Sequence, residues 1–177
     1  MSNIYVIRHG EVDFNVNNKI NGVNNCSLNA TGIEQAKSRS SEVKEFNIDL
    51  IICSPLQRAK ETCKYVNVEN KPVEYDNRLM ERDSRSMQYK SVDILDMNIW
   101  YDAQKEIIYE DAEGFRSVLK RVYEFLDEIK EKHLNKNILL VTHGDVCKAI
   151  YMYFNKNEVT DISKIEQKNC EIFKYKF

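Results

Sequence analysis

The sequence has few of the residues that interrupt regular structure, and it has no long hydrophobic run. Only five glycines and two prolines occur among 177 residues, so each of them is informative about where the backbone turns. No apolar stretch reaches the roughly 18 residues that a membrane-spanning helix needs. The first residues also lack the basic and apolar regions of a signal peptide. We therefore expect a cytoplasmic protein that has no membrane partner.

The cysteines are widely spaced and do not form the close pairs that are typical of metal sites and disulfide frameworks. Because the number of cysteines is odd and no two of them form a Cys-x-x-Cys pair, they argue against a disulfide framework and against a zinc site. We expect reduced thiols that mostly fill the core. The five residues are Cys26, Cys53, Cys63, Cys147 and Cys170.

Neither sign of charge dominates the chain. It has 26 Lys and Arg against 28 Asp and Glu, a formal net charge of −2. Nucleic-acid-binding domains carry a marked basic excess, so we do not expect a nucleic acid as partner. At about 150 residues per domain the length predicts a single domain over residues 1–177. Nothing in the sequence predicts an oligomeric state.

Short apolar runs separated by helical stretches predict the fold class. Residues 4–7, 50–53 and 138–141 are continuous apolar runs, which are typical of strands buried on both faces. Buried strands that alternate with helices favour an α/β fold with a mostly parallel sheet. Near the end of the chain, aromatic residues alternate with lysines over 173–177, which predicts an edge strand protected by charge.

Two helix starts are indicated by capping residues. Thr31 with Glu34 is typical of a capping box and predicts a helix that runs to about Phe46. Ser54 followed by Pro55 predicts the N-cap and the first position of a second helix. This helix follows directly on the apolar run at 50–53.

Periodicity predicts two further helices, and its absence predicts two irregular stretches. Apolar residues at helical spacing extend from Phe115 to Ile129, and the same spacing recurs from Gly144 onward. Residues 15–29 are rich in asparagine and predict a loop. Residues 84–110 predict a partly helical cover over one end of the sheet.

The pattern of four apolar residues, one polar residue, His and Gly occurs twice, at residues 4–10 and 138–144. It places His9 and His143 directly after buried strands, and ligands of open α/β sheets bind at the carboxyl ends of the strands. The helix predicted after residue 53 brings Arg58 to the same edge. A helix N-terminus with Arg8, Arg58 and a histidine nearby favours a phosphate ligand.

Further motifs extend this pattern over most of the chain. In chain order they are Arg8-His9-Gly10-Glu11, Asn15, Leu28-Asn29-Ala30-Thr31-Gly32 with Gln35-Ala36, Ser54-Pro55-Leu56-Gln57-Arg58-Ala59-Lys60-Glu61-Thr62, Leu79-Met80-Glu81 and Thr142-His143-Gly144. With these motifs the sequence resembles the histidine phosphatase (phosphoglycerate mutase-like) superfamily. The resemblance implies a three-layer α/β/α sandwich with a mostly parallel central sheet, a phosphohistidine intermediate and neither metal nor other cofactor.

The resemblance also implies the site residues. It makes His9 the nucleophile and surrounds the transferred phosphoryl group with Arg8, Arg58 and His143. Two guanidinium neighbours lower the pKa of an imidazole from its usual value of about 6.5, which keeps the nucleophile neutral near pH 7. The predicted substrate-binding residues are Arg8, Asn15, Asn21, Gly22, Arg58 and Gly144.

Glu81 matches the acid that protonates the leaving oxygen. The chain departs from the family pattern beside it, because Val12 stands where Thr is frequent and residues 82–90 contain no glycine. Glu113 and Asp83 therefore remain alternative acids.

The favoured hypothesis is a phosphomonoesterase of the histidine acid phosphatase type that hydrolyses a small phosphorylated metabolite, similar to the α-ribazole phosphatase branch. A phosphoglycerate mutase is the first alternative, although the chain lacks the extra segments with which mutases generally enclose their substrate. The second is a non-catalytic phosphate-binding regulatory module. Two roles have equal weight for the basic residues of the next segment, binding of an anionic substrate and exposure to water. These residues are Arg82, Arg85 and Lys90.

Overall fold

A five-stranded sheet forms the centre of the structure, a computed structural model that describes residues 2–155 and 161–177. The strands of the chain are β1 (Asn3–Arg8), β2 (Leu50–Cys53), β3 (Val73–Tyr75), β4 (Ile107–Ile108), β5 (Ala112–Glu113), β6 (Asn137–Thr142) and β7 (Ile172–Lys176). The central sheet has the order β3-β2-β6-β1-β7, while β4 and β5 form a separate hairpin. Strands β1, β2, β3 and β6 are parallel, and β7 is antiparallel to β1. The sheet is therefore mostly parallel, as predicted.

Helices cover both faces of this sheet. They are α1 (Asp13–Val16), α2 (Ala30–Ser38), α3 (Ser40–Glu45), α4 (Gln57–Val66), α5 (Met97–Trp100), α6 (Phe115–Lys132) and α7 (Gly144–Phe154), with short 3₁₀ helices at Asn77–Leu79, Arg85–Met87, Val92–Ile94 and Ile162–Lys164. Successive side chains of a strand point to opposite faces. Thus Ile4 packs with α6 and α7, whereas Tyr5 packs with α2, α3 and α4. This arrangement confirms the predicted three-layer sandwich.

The strands predicted from apolar runs and the helices predicted from periodicity are present in the structure. The three apolar runs are β1, β2 and β6, and the two periodic helices are α6 and α7. The aromatic and lysine alternation is the edge strand β7. Strand β3 was not predicted, because it has only three residues and two of them are exposed, so it carries no apolar run.

Both helix starts predicted from capping residues are wrong. The N-cap of α2 is Asn29, whose side chain accepts a hydrogen bond from the Gly32 backbone N–H, so Thr31 lies inside the helix. The helix also breaks after residue 38, where the Ser38 and Ser40 hydroxyls donate to backbone carbonyls three residues earlier and so compete with regular helical bonding. The second predicted helix, α4, begins at Gln57, two residues after Pro55, and has no side-chain cap.

The irregular stretches form one side of a cavity at the carboxyl ends of the strands. The loop predicted for 15–29 is wrong at residues 15 and 16, which end α1, and residues 17–29 contain no helix. Residues 84–110 form two 3₁₀ turns, α5 and β4. A small apolar core joins Ile20 of the first stretch to Met87 and Trp100 of the second. The partly helical cover predicted for 84–110 is therefore present.

The structure also tests the expectations for the cysteines and for membrane-spanning helices. All five cysteines are free thiols, and four of them are buried, which confirms the interpretation as core residues. Within residues 2–155 and 161–177, none of the helices combines the length and the apolar character needed to cross a membrane.

Candidate active site

A cavity of about 610 Å³ lies where β1 and β6 end. His143 is fully buried below the cavity, and its ring centroid is 5.1 Å from that of His9. The cavity wall contains the other predicted site residues, Arg8, His9, Asn15, Asn21, Gly22, Arg58, Glu81 and Gly144. The structure thus brings together every residue that the sequence assigned to the site.

His9 is held as a neutral base with a defined tautomer. Its backbone N–H continues the pairing of β1 by donating to the Thr142 carbonyl at 2.9 Å. Nδ1 donates to the Gly10 carbonyl at 2.7 Å, which leaves the ring lone pair on Nε2. Burial, followed by the charges of Arg58 and Arg8, holds the pKa of His9 well below 6.5. The ring is therefore neutral at pH 7, with its proton on Nδ1, and is able to attack an electrophile through Nε2.

Arg58, in the first turn of α4, is fixed against His9. Its side chain is buried, and Nε donates to His9 Nε2 at 3.2 Å. Nη1 and Nη2 donate to the Asn24 and Gly22 carbonyls at 2.8 and 2.9 Å. Gly22 has a φ of +57° and a Cβ there would lie 2.9 Å from Ser84 Oγ, so only glycine fits. The asparagine-rich loop therefore orients this guanidinium.

His143 is oriented by Ser54, the residue that the sequence assigned to a helix cap. Ser54 Oγ accepts from the Leu56 backbone N–H at 3.4 Å, so its hydroxyl hydrogen is free to donate to His143 Nε2, 2.7 Å away. That bond places the ring proton on Nδ1, which is buried and has no hydrogen-bond partner within the described residues. Burial and Arg58 lower the pKa of His143 well below 6.5. With this tautomer the neutral ring has one N–H group that no described residue accepts.

We expect Ser54→Ala to lower kcat/KM by up to about tenfold, the equivalent of one net hydrogen bond of about 0.5–1.5 kcal/mol. We expect this loss because the variant no longer fixes the tautomer of His143. Release of inorganic phosphate measures the rate. Ser40→Ala is the matched control, because that exposed hydroxyl bonds only the Lys37 carbonyl. Equal rates for the wild type and Ser54→Ala contradict an orienting role for Ser54.

The stretch 161–171 supplies two contacts that the sequence did not indicate. The Gln167 carbonyl accepts from Arg8 Nη1 at 2.8 Å, and Asn169 Nδ2 donates to the His9 carbonyl at 2.8 Å. Asn169 also donates, at 3.4 Å, to Asn15 Oδ1, which accepts from the Val12 N–H as well. With its oxygen occupied, Asn15 has its amide N–H groups left for a ligand. No motif or periodicity marks this stretch.

Two further predicted residues complete the wall. Asn21 Nδ2 donates to Cys26 Sγ at 3.1 Å, and its buried Oδ1 has no partner in the described chain. A Cβ added to Gly144 would lie 3.7 Å from both Arg8 and Glu81 Oε2. Gly144 therefore lies at the point where the cationic and acidic sides of the cavity meet.

Glu81 is the predicted acid that lines the same cavity as His9. Its Oε1 accepts from the backbone N–H groups of Arg82 and Asp145 at 3.0 and 3.2 Å, so a proton on this carboxyl belongs on Oε2. Desolvation, with a smaller contribution from Asp145, raises the pKa of Glu81. A carboxyl with a raised pKa is suited to donate a proton.

The alternative acids lie elsewhere. Glu113 forms an ion pair with Arg121 at 2.8 Å, and Asp83 forms one with Arg85 at 3.2 Å. Both carboxylates line a second cavity beside the β4–β5 hairpin, and neither lines the one that contains His9.

The three basic residues with undecided roles have different surroundings. Arg85 and Lys90 are exposed, and Lys90 Nζ lies 3.6 Å from Met87 Sδ. Arg82 is 0% exposed and forms an ion pair with Asp145 at 2.9 Å. Exposure to water is therefore wrong for Arg82, whereas binding of an anionic substrate stays a prediction for this residue, which lines the cavity beside its ion pair with Asp145.

The cavity floor is cationic, because Arg8 and Arg58 flank His9. In the parts of the chain that the structure describes, no group of three or more His, Cys, Asp or Glu is placed to hold a metal ion. The apolar wall opposite contains Val92, Leu95, Met97 and Trp100. Such a cavity suits a compact anion attached to a small organic group.

These observations define an α/β protein in which two histidines and two arginines meet at the carboxyl edge of a parallel sheet. The family model of the histidine phosphatase superfamily (branch 1) matches residues 4–177. The chain belongs to this superfamily, which confirms the resemblance seen in its motifs.

Two curated relatives and one solved structure are similar over most of the chain. The uncharacterized phosphatase PhoE of Bacillus subtilis (strain 168) is 32% identical over 152 residues, or 85% of this chain and 76% of that protein. The adenosylcobalamin/alpha-ribazole phosphatase of Escherichia coli (strain K12) is 29% identical over 156 residues, or 83% and 76%. Phosphoserine phosphatase of Entamoeba histolytica, solved with 3-phosphoglyceric acid, has a TM-score of 0.87 and 26% identity over 100% of this chain and 91% of its own. All three are phosphatases.

Proposed function

We propose that this chain is a phosphomonoesterase of the histidine acid phosphatase type, which hydrolyses a small phosphorylated metabolite through a phosphohistidine on His9. The observation that carries the proposal is the neutral Nε2 of His9, which meets the Nε–H of a buried Arg58 at 3.2 Å. A nucleophile and a fixed cation at one point are what phosphoryl transfer requires.

In the first step, the Arg58 Nε–H leaves His9 Nε2 for an oxygen of the bound phosphate, and the freed Nε2 lone pair attacks phosphorus as the bond to the leaving oxygen breaks. Arg8, Arg58 and the Nδ1–H of His143 stabilise the negative charge on the non-bridging oxygens, because they are fixed before the reaction begins. The proton on Glu81 Oε2 moves to the leaving oxygen, so the alcohol departs neutral. The products are a phosphohistidine and an ionised Glu81.

In the second step, the Glu81 carboxylate removes a proton from a water molecule that attacks the phosphohistidine. The N–P bond breaks, His9 returns to its neutral form, and inorganic phosphate leaves. Glu81 ends protonated, ready for another turnover. The same carboxyl is thus acid first and base second, which a raised pKa permits.

We propose hydrolysis rather than transfer to a second substrate position. Although some other relatives are named as phosphoglycerate mutases, the support is that the two relatives and the structural neighbour reported above are named as phosphatases. Their names suggest phosphoserine and α-ribazole phosphate as candidate substrates of this chain, and no contact in the cavity selects between them.

Phosphate release from a panel of monoesters, with and without EDTA, tests the proposal. The panel contains phosphoserine, α-ribazole phosphate, 3-phosphoglycerate and p-nitrophenyl phosphate. We expect release of inorganic phosphate at rates that EDTA leaves unchanged. Interconversion of 3- and 2-phosphoglycerate without phosphate release indicates a mutase, and binding without turnover indicates a regulatory module. Strict dependence on added Mg²⁺ or Zn²⁺ overturns the proposed chemistry.

A further inference from the structure

A buried polar network lies directly behind Glu81. Asp145, at the start of α7, forms an ion pair through Oδ2 with Arg82 Nε at 2.9 Å and accepts a hydrogen bond through Oδ1 from the Tyr101 hydroxyl at 3.1 Å. The backbone N–H of the same Asp145 donates to Glu81 Oε1. One residue therefore touches the proposed acid through its main chain and places a carboxylate beside it.

The Arg82 side chain is buried among aromatic rings. Its guanidinium carbon lies 4.3 Å from the Trp100 ring centroid, with Tyr101 and Phe115 at 5.3 and 5.1 Å. Nη1 donates to the Trp100 carbonyl at 2.5 Å. A buried cation in an aromatic cage is stable only beside a counter-ion. Asp145 lies at ion-pair distance from this cation.

Several elements contribute charged or titratable groups around the Glu81 carboxyl. They are Arg8 after β1, Arg58 on α4, His143 after β6, Asp145 on α7, Arg82 on its own segment, and Tyr101 after α5. Both histidines of the site stay neutral, and Arg82 is paired. Asp145 is thus the one negative charge in this group that opposes ionisation of Glu81, against the two arginines that favour it.

We propose that Asp145, fixed by Arg82 and Tyr101, is a positioning residue that keeps the Glu81 carboxyl protonated on Oε2 until the leaving oxygen arrives. The inference deepens the proposed function, since it depends on Glu81 being the acid. A neighbouring anion disfavours the second negative charge, while the Asp145 N–H on Oε1 directs the proton to the other oxygen. Without this carboxylate, only burial would oppose the effect of Arg8 and Arg58, which favour ionisation of Glu81.

The pH dependence of Asp145→Asn tests this inference. Removing the carboxylate lowers the pKa of Glu81, so the protonated acid is lost at lower pH. We expect the alkaline limb of kcat/KM to move down by about one pH unit. For an alkyl phosphate, kcat/KM on that limb should fall about tenfold, since a poor leaving group needs the proton. For p-nitrophenyl phosphate, whose leaving group needs little protonation, kcat/KM should change less than twofold.

Matched variants separate this role from a loss of folding. Asp127→Asn is the control, because Asp127 also accepts from a tyrosine hydroxyl, Tyr153, but lies on the exposed face of α6. If Asp145→Asn does not fold because Arg82 is left unpaired, Arg82→Met/Asp145→Ala removes both charges, a change that buried pairs tolerate well. The double variant should show the same downward shift.

The outcomes are distinct. A wild type that releases no phosphate from p-nitrophenyl phosphate refutes the proposed function itself. An active wild type whose alkaline limb does not move in either variant refutes the role of Asp145. Equal losses on alkyl and aryl substrates with an unchanged profile refute it as well, because they show a structural defect only.

Discussion

His9→Ala is expected to lower kcat by a factor on the order of 10⁶, as loss of a nucleophile does in other enzymes with covalent intermediates. No neighbouring group can take over the attack. His143 is bonded to Ser54 through Nε2, and its other ring nitrogen is buried. The measurements are phosphate release and acid-labile phosphate on the protein, both of which should disappear.

The fold should survive this substitution, because the His9 side chain bonds only to its neighbour Gly10 and to Arg58. Circular dichroism and a thermal melt check this point. His133→Ala is the matched control, since His133 ends α6 and takes no part in the cavity. Activity of His9→Ala within tenfold of the wild type is incompatible with His9 as nucleophile.

The sequence is most informative where local pattern and topology act together. A buried apolar run followed by His and Gly specifies a parallel strand and the place of its last side chain, so His9 and His143 could be assigned to one edge. The same reasoning placed Arg58, because a helix that follows a buried strand starts at that edge.

Contacts between distant segments could not be predicted in this way. Ser54 has the identity and spacing of a helix cap, but its hydroxyl is taken by His143, 89 residues later. Asp145 and Arg82 are separated by 63 positions, and nothing local in either segment indicates that they form a pair. The supports of the site are therefore visible only in the folded chain, whereas its reacting groups are marked in the sequence.

Arg58→Ala is expected to remove about 2.7–4 kcal/mol of transition-state stabilisation, a loss of about 10²- to 10³-fold in kcat, by analogy with loss of one preorganised oxyanion donor. The guanidinium lies against the attacking nitrogen, and its orientation is set by two carbonyls of the asparagine-rich loop. Arg58→Lys should recover only part of the loss, because an ammonium keeps the charge but not the planar fork. Arg116→Ala, at an exposed position, should leave the rate unchanged.

The inhibition constant of inorganic phosphate distinguishes two origins of this effect. If Arg58 acts mainly in the transition state, Arg58→Ala weakens phosphate binding far less than it lowers kcat. Equal losses in both quantities mean that the guanidinium binds ground state and transition state alike, since uniform binding does not accelerate the chemical step. A change in kcat of less than twofold places Arg58 outside the reaction altogether, and the convergence of both arginines on His9 then has no catalytic meaning.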